Sequence, residues 1–224
     1  MAFVVRTPLI IAIFVATLLS SGSAHCASSD PFGGHHTFEV VYSSLFEKWS
    51  STIAKFSRDH AQLRACTDGN VTECLAAQQL NAIIADAKAQ NGLAVLGHIN
   101  RGINFEIKPV ARSDWLSPFE AINSGGDCKA YSISKYFALR EAGFAADRLR
   151  LVIVHARGQS GNHMVVAALW QDHWLILDNL TLALVPDEAS QYEPLLVLDD
   201  KGVRSYVSPA VNGMKSSAAA SVTF

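Results

Sequence analysis

The sequence lacks an excess of charge of either sign. Its 224 residues contain 18 lysine and arginine residues against 20 aspartate and glutamate residues, which gives a formal net charge of −2 at pH 7. A nucleic-acid partner is therefore not expected, because binding to a phosphate backbone usually needs a basic excess. Charged residues make up only 17% of the chain and hydrophobic residues 50%, a balance that indicates a folded globular protein.

Motifs for several common chemistries are also absent. The chain has no H-E-x-x-H, no P-loop and no G-x-G-x-x-G. Cysteine is scarce, and the four positions are Cys26, Cys66, Cys74 and Cys128. Their spacing fits neither a C-x-x-C redox pair nor a zinc knuckle, so metal-hydrolase and thioredoxin-like functions are excluded.

Apolar runs long enough to span a membrane are missing throughout. The longest run, at 9–19, follows Arg6 and precedes the small residues 20–24, an order typical of a secretory signal peptide. The run is shorter than the roughly 20 residues that a membrane span needs. We expect cleavage after Ala24, export to the periplasm or beyond, and no stable membrane insertion afterwards.

Cysteine chemistry follows from that exported location. Cys66 and Cys74 enclose the turn-forming stretch 67–70, so an oxidising compartment favours a disulfide between them. A lipoprotein anchor on Cys26 is the alternative to simple cleavage, although His25 stands where a small residue is required.

The remaining chain divides into three parts. Residues 25–40 are polar and contain glycine, which predicts a flexible lead-in, and the Ser- and Ala-rich residues 212–224 predict a disordered tail. Between them, 41–211 form one domain. Its helical periodicity and strand-type runs predict helices at 43–65, 76–90, 93–103, 117–124 and 127–142, and strands at 149–155, 164–170, 174–177, 182–185 and 195–198. Short linkers predict that the first three strands form an antiparallel meander.

Cys128 is predicted to lie in the first turn of a helix. Gly125 and Gly126 permit a tight turn before it and close approach of a substrate, and Asp127 can cap the helix. Unpaired backbone N–H groups and the helix dipole stabilise a thiolate at such a position, and a thiolate is the attacking form of cysteine.

A base and an orienting group are also available. His163 opens one predicted strand and Asp178 ends the next, so a hairpin would bring them together. The imidazole could then contact Asp178 through one nitrogen and Cys128 through the other, which predicts a Cys-His-Asp triad. The backbone N–H of Cys128 is an expected oxyanion donor, and Asn123 is a candidate for the second.

Several motifs together resemble one family. They are W-L-S-P-F-E at 115–120, G-D-C-K-A-Y-S at 126–132 with Lys135, Tyr136 and Leu139, N-H-M-V at 162–165 and L-D-N at 177–179. This set resembles the bacterial transglutaminase-like cysteine peptidases, the group of LapG-type periplasmic proteases, over roughly residues 40–180.

The resemblance implies an α+β, papain-like or transglutaminase-like fold. In it a cysteine at a helix N-terminus packs on an antiparallel sheet that carries the histidine and the aspartate. It implies that Cys128 is the nucleophile, His163 the general base and acid, and Asp178 the residue that orients His163. The Cys66–Cys74 pairing is also similar to a feature of the family. Among the other residues of the motifs, Gly126 and Trp115 are candidates for substrate binding, with packing as the alternative for Trp115.

The resemblance also implies partners. Members of the group cut a surface adhesin at a pair of alanines and are inhibited by an inner-membrane receptor that responds to cyclic di-GMP. Their cysteine is flanked by two acidic residues that help to bind calcium. Here Asp127 is present but Lys129 takes the other position, and a lysine cannot ligate Ca²⁺. We therefore expect no cofactor and no metal at this place, which puts the adhesin substrate and the receptor in question.

Three functions remain open. An exported cysteine endopeptidase acting on a protein or peptide is the preferred hypothesis. The same triad would serve a transglutaminase or an amidase, because the sequence does not specify the acyl acceptor. A binding module with a silent site is the third, and the missing calcium ligand is the feature that favours it.

Overall fold

The computed structural model describes residues 30–33, 37–39, 44–66, 74–156, 158 and 160–207. The predicted signal peptide, Cys26 and the predicted tail at 212–224 lie outside the described residues. In the part that is described, no helix combines the length and the apolar character needed to cross a membrane.

Five helices precede most of the sheet. Their bounds are α1 Ser44–Ala65, α2 Leu75–Lys88, α3 Ala94–Glu106, α4 Pro118–Ser124 and α5 Cys128–Glu141. All five correspond to predicted helices, with ends that move by at most three residues. α3 continues past its expected end at residue 103, because Gly97 and Gly102 do not break it; Gly102 instead lies close to Ile83 of α2, where a larger residue would not fit.

The strands form one seven-stranded sheet that is antiparallel throughout. Their bounds are β1 Thr37–Glu39, β2 Leu149–Ala156, β3 Asn162–Trp170, β4 His173–Leu177, β5 Val185–Pro186, β6 Tyr192–Asp199 and β7 Gly202–Tyr206. The order across the sheet is β1-β7-β6-β2-β3-β4-β5. The predicted meander of β2, β3 and β4 is therefore confirmed. The predicted strand at 182–185 shrinks to the short β5, and β1 and β7 had no predicted counterpart.

The sheet is covered on one face by the helices. Alternate residues of β3 such as Met164 and Val166 face a large core that includes the buried sides of α2, α3 and α5. The other alternation, Val165 and Ala167, faces a smaller core that includes Phe32. This two-layer arrangement of helices on an antiparallel sheet is the predicted α+β class.

The predicted lead-in at 25–40 differs from the structure wherever the structure describes it. β1 pairs with β7, and Phe32 is buried against the outer face of the sheet. Asp30 accepts hydrogen bonds from Arg150 and Arg204. These ion pairs and the buried ring join residues more than 100 positions apart in the chain, so local composition could not reveal them.

The disulfide connects the end of α1 to the start of α2. Cys66 and Cys74 are bonded with their Cα atoms 5.6 Å apart. Both side chains are buried in the larger core. The disulfide therefore holds the end of α1 next to the start of α2 in the helical layer that covers the sheet.

Candidate active site

Cys128 is the first residue of α5, as the sequence predicts. Asp127 is the N-cap, and its side chain accepts a hydrogen bond from the backbone N–H of Lys129 at 3.1 Å. Cys128 is half-buried, and within the described residues it is the one cysteine that is not in a disulfide. The N–H groups of the first turn have no acceptor inside the helix, so the sulfur stands at the positive end of the helix dipole.

The two glycines before Cys128 pack the chain tightly. Gly125 has φ +74°, and a side chain there would meet the backbone oxygen of Lys108 at 2.7 Å. A Cβ on Gly126 would lie 2.2 Å from the Cβ of Ala130, and its N–H already donates to the Lys108 oxygen at 2.9 Å. Gly126 thus places α5 against the 108–110 segment, and its N–H is not free to bind an oxyanion.

The hairpin of β3 and β4 brings His163 and Asp178 together. The last ladder pair of these strands is Val166 with Leu177, so the residues beyond it continue side by side. Asp178 follows β4 directly, and its Oδ1 lies 2.8 Å from Nε2 of His163. The second hydrogen-bond partner of the His163 ring is Cys128. With Nε2 occupied, Nδ1 is the nitrogen that remains for the sulfur.

The charge state of His163 follows from these two neighbours. Burial alone would lower the pKa of the imidazole, but the hydrogen bonds and the negative charges of Asp178 and Cys128 raise the pKa to about 9. His163 is therefore a cation at neutral pH, which is the form that stabilises a thiolate beside it.

Asp178 is held by groups from several elements. The hydroxyl of Tyr192, at the start of β6, donates to Oδ2, and the N–H of Leu180 donates to Oδ1 at 3.1 Å. The side chain of Asn104 on α3 donates to the Asp178 backbone oxygen at 2.9 Å. Burial would raise the pKa of the carboxyl, but the bonds from His163, Tyr192 and Leu180 hold it below its usual range.

Tyr192 and Lys135 also interact with Asp178, and neither was assigned a role in the site from the sequence, although Lys135 is part of the family motif. The Tyr192 ring lies 5.7 Å from the His163 ring, centroid to centroid. Lys135, on α5, is fully buried and interacts electrostatically with Asp178. The family motif includes Lys135, and a lysine at a sheet-facing helical position also breaks the apolar pattern; these were the sequence signals that pointed to it.

The three remaining candidates, Trp115, Asn123 and Gly126, lie in different surroundings. Trp115 is buried in the helical core with its ring 6.4 Å from that of Trp49, which is a packing position. Asn123 is exposed on α4. Gly126 lies near Cys128, but through the packing described above.

Lys129 is buried beside the start of α5. Its ammonium contacts the Asp127 carboxylate and donates to the backbone oxygen of Arg112 at 3.1 Å. A positive charge therefore already lies between these two oxygens. Over the described ranges, no group of three or more histidine, cysteine, aspartate or glutamate side chains is arranged to hold a metal ion.

Comparison with known families decides the class of protein. A family model described as bacterial transglutaminase-like cysteine proteinase matches residues 55–207. The chain belongs to this family. As a transglutaminase-like cysteine peptidase, it acts on protein or peptide substrates. No curated protein matches the chain significantly.

Solved structures of one relative show the same fold. LapG of Legionella pneumophila aligns with a TM-score of 0.55 and 22% identity, over 66% of this chain and 87% of that one. Its calcium-bound structure has the same TM-score and identity and covers 71% of this chain and 92% of that one, and an EGTA-treated structure is equally similar. At this identity the likeness shows the fold, so roles for individual residues must be argued from their own geometry.

Proposed function

We propose that this cysteine peptidase is an exported endopeptidase in which Cys128 is the nucleophile, His163 the general acid and base, and Asp178 the residue that orients His163. The observation that carries this proposal is the contact of Nε2 of His163 with Asp178 at 2.8 Å, which leaves Nδ1 for the sulfur. A nucleophile, a base and an orienting group in one line are the arrangement needed for acyl transfer.

The reaction divides into two steps. The Cys128 thiolate attacks the carbonyl carbon of the peptide, and the charge that develops on oxygen is stabilised by the backbone N–H of Cys128. The C–N bond then breaks as imidazolium His163 gives its proton to the departing amine, which leaves a thioester on Cys128. Neutral His163 next takes a proton from water, the hydroxyl attacks the thioester, and the acid product leaves as Cys128 regains its thiolate and His163 its proton.

Asp178 acts on His163 alone in this scheme. Its carboxylate fixes the ring so that the nitrogen facing Cys128 is in line with the sulfur, and it stabilises the imidazolium. Tyr192 and the N–H of Leu180 hold that carboxylate in place.

The place of action rests on the N-terminal sequence. The order of charged, apolar and small residues before Ala24 supports export to the periplasm or beyond. A surface or periplasmic protein is then the substrate. An inner-membrane regulatory receptor is supported by the family resemblance alone.

Calcium independence is part of the proposal. The Lys129 ammonium lies where it neutralises Asp127, and an adjacent cation repels Ca²⁺ from the oxygens it would need. Turnover should therefore survive excess EGTA. A loss of activity on chelation that Ca²⁺ restores would contradict this assignment of Lys129.

The first test is the reactivity of Cys128. In the purified mature protein, iodoacetamide should alkylate Cys128 rapidly at neutral pH, because the helix start and imidazolium His163 favour thiolate. His163→Ala should slow the alkylation, while replacing the exposed His173 with Ala should leave the rate unchanged. Equal alkylation rates in the native and His163→Ala proteins would show that His163 does not activate the thiol.

The second test finds the reaction and the substrate. Strains with the native protein and with Cys128→Ala are compared by mass spectrometry of periplasmic and secreted proteins. New N-termini that require Cys128 indicate proteolysis, whereas cross-linked peptides or deamidated side chains indicate acyl transfer or amidase action. No Cys128-dependent product of any kind, with both proteins present in equal amounts, would remove the enzymatic proposal.

A further inference from the structure

A buried lysine lies beneath the proposed catalytic site. Lys135 has none of its surface exposed, and its Nζ has no hydrogen-bond partner among the described residues. Transfer of an unpaired ammonium from water to a protein interior is strongly unfavourable, so a buried lysine is normally compensated by a nearby negative charge. The negative charge that compensates the Lys135 ammonium therefore indicates the role of this lysine.

Helical phase places Lys135 under Cys128. Seven residues make almost two turns, so the two side chains leave α5 on the same side, with Ser132 between them. That side faces the sheet, because the Ser132 hydroxyl donates to the backbone oxygen of Met164 at 2.7 Å. Met164 follows His163 directly, so Lys135 points toward the layer that carries His163.

The compensating charge is Asp178, with which Lys135 interacts electrostatically. The other titratable groups around Asp178 are His163 from β3 and Tyr192 from β6, and Cys128 is reached through His163. On the remaining side, α3 presents neutral amides.

Those amides hold the segment that carries Asp178. The side chains of Asn100 and Asn104 donate to the Thr181 oxygen at 3.2 and 3.3 Å, and Asn104 also donates to the Asp178 oxygen. Of the titratable and charged residues of α3, His98 and Arg101 are exposed, and Glu106, the last residue of the helix, is half-buried. Lys135 is thus the one buried cation that faces Asp178 from the helical side within the described residues.

The sum of the charges in the site explains why a buried lysine is favourable here. When the site is active, Cys128 is negative, His163 positive and Asp178 negative, which leaves one uncompensated negative charge in a buried cluster. A protonated Lys135 makes the cluster neutral. Burial lowers the pKa of Lys135 to about 7, with Asp178 opposing the fall, so the amine is charged on the acid side of neutrality, where Asp178 is at risk of protonation.

We propose that Lys135 is a positioning residue: its buried ammonium keeps Asp178 ionised, so that Asp178 can hold His163, and it thereby sets the acid limit of activity. The inference rests on the proposed function insofar as it concerns activity. The pairing of Lys135 with Asp178 can be tested independently of any turnover.

The kinetic test uses a variant that keeps the length of the side chain and removes its charge. In Lys135→Met, the acid limb of kcat/KM should move up by about one pH unit, because a carboxylate loses the cation that favours its ionised form. At a pH below the limb, kcat/KM should fall about tenfold. Lys135→Arg should keep the native limb. Ser134→Ala, which alters a buried polar side chain one residue away, is the matched control and should not shift it.

The stability test needs no substrate. Asp178→Asn leaves the ammonium buried without its partner and should lower the Tm, and adding Lys135→Met should restore at least half of the loss. Additive effects of the two substitutions would overturn the pairing even if Lys135→Met alone folds poorly. A native acid limb in folded Lys135→Met, or equal shifts in the Met and Arg variants, would overturn the role in activity. If the native protein shows no activity but the stabilities are coupled, the proposed function fails and the pairing stands.

Discussion

His163 lies between two acidic groups, Asp178 and Cys128. The loss of its proton should limit activity at high pH. The imidazolium form is present below a pKa of about 9 and is lost as the pH rises through that value. Because the raised pKa exceeds that of an unfolded histidine, about 6.5, the stability contributed by the protonated ring is complete below 6.5 and disappears toward pH 9.

We therefore expect the basic limb of kcat/KM near pH 9. Asp178→Asn removes the first of the two groups that raise the pKa, so the limb should move to lower pH while kcat falls by orders of magnitude. A pH profile on any peptide cleaved by the native protein measures both. A basic limb that stays in place in Asp178→Asn would contradict the assignment of His163 as its source.

Tyr192 offers a smaller change at the same site. Tyr192→Phe removes the hydroxyl that donates to Asp178 and keeps the ring that lies beside His163. A hydrogen bond to a charged group contributes about 1.5–3 kcal/mol, so kcat/KM should fall by about tenfold or more, with KM nearly unchanged.

The carboxyl group of Asp178 should also respond to Tyr192→Phe. Its pKa should rise, since one of the bonds that lower it is gone. The exposed residue Gln191, next to Tyr192 in the chain, offers a control. Gln191→Ala changes the same segment but leaves the hydroxyl that donates to Asp178 in place. Equal losses in both variants would mean that the segment, and not the hydroxyl, is what matters.

Sequence patterns could locate some of these residues but not others. Local sequence identifies the position of Cys128, because two glycines and a capping aspartate precede a helix with an apolar side. His163 and Asp178 flank a short hairpin, so their proximity follows from one short-range pairing. Tyr192 reaches Asp178 because β6 pairs with β2 across a long connection, and nothing near Tyr192 in the chain encodes that pairing.

At the scale of elements, the start of α5 depends on the contact of Gly126 with Ala130. The Cβ introduced by Gly126→Ala would meet the Ala130 Cβ at 2.2 Å, so the first turn of the helix must move. Overpacking of this kind typically costs about 1–3 kcal/mol. Chemical denaturation should show that loss, and iodoacetamide alkylation of Cys128 should slow because the sulfur leaves its place at the helix start.

A second substitution separates the clash from other effects. Ala130→Gly opens the space and costs about 1 kcal/mol as a glycine inside a helix. The double variant Gly126→Ala with Ala130→Gly should therefore be more stable than the sum of the single effects and should regain alkylation rate. Strict additivity would show that the two residues do not clash.

Helices and strands differ in whether the sequence near them is enough to predict them. α4 carries a complete capping box in which Ser117 and Glu120 bond each other's backbone N–H groups, and it begins where the sequence indicates. β7 and β1 form the far edge of the sheet through pairing between residues 37–39 and 204–206. Short strands whose partners lie at the other end of the chain have no periodicity long enough to detect.

At the scale of the whole molecule, the disulfide joins two helices of the layer that covers the sheet. The Cys66→Ser, Cys74→Ser protein should lose roughly 2–3 kcal/mol, the entropy of closing a short loop in the unfolded chain. Because Cys128 lies in another helix, its alkylation rate in the folded state should be preserved. Denaturation of the native protein with and without reductant, compared with this variant, measures the effect.

The N-terminal segment closes the other face of the sheet through Asp30. Its carboxylate pairs with Arg150 of β2 and Arg204 of β7, and the Tyr206 hydroxyl donates to the adjacent Pro31 oxygen. Burial would raise the pKa of Asp30, but the two arginines lower it to about 2. The stability it provides is therefore present above its unfolded value of 3.8 and is lost as the pH falls toward 2.

Asp30→Asn should accordingly remove stability at neutral pH and flatten the loss of stability in acid. Breaking a buried ion pair on one side costs about 3 kcal/mol, because two guanidinium groups remain with fewer negative partners. Asp172→Asn, on the exposed turn between β3 and β4, is the control and should change little. Since Asp30 lies on the face of the sheet away from α5, Cys128 should remain as reactive in folded Asp30→Asn as in the native protein. A stability at pH 7 that equals the native value would show that the segment before β1 does not anchor the fold.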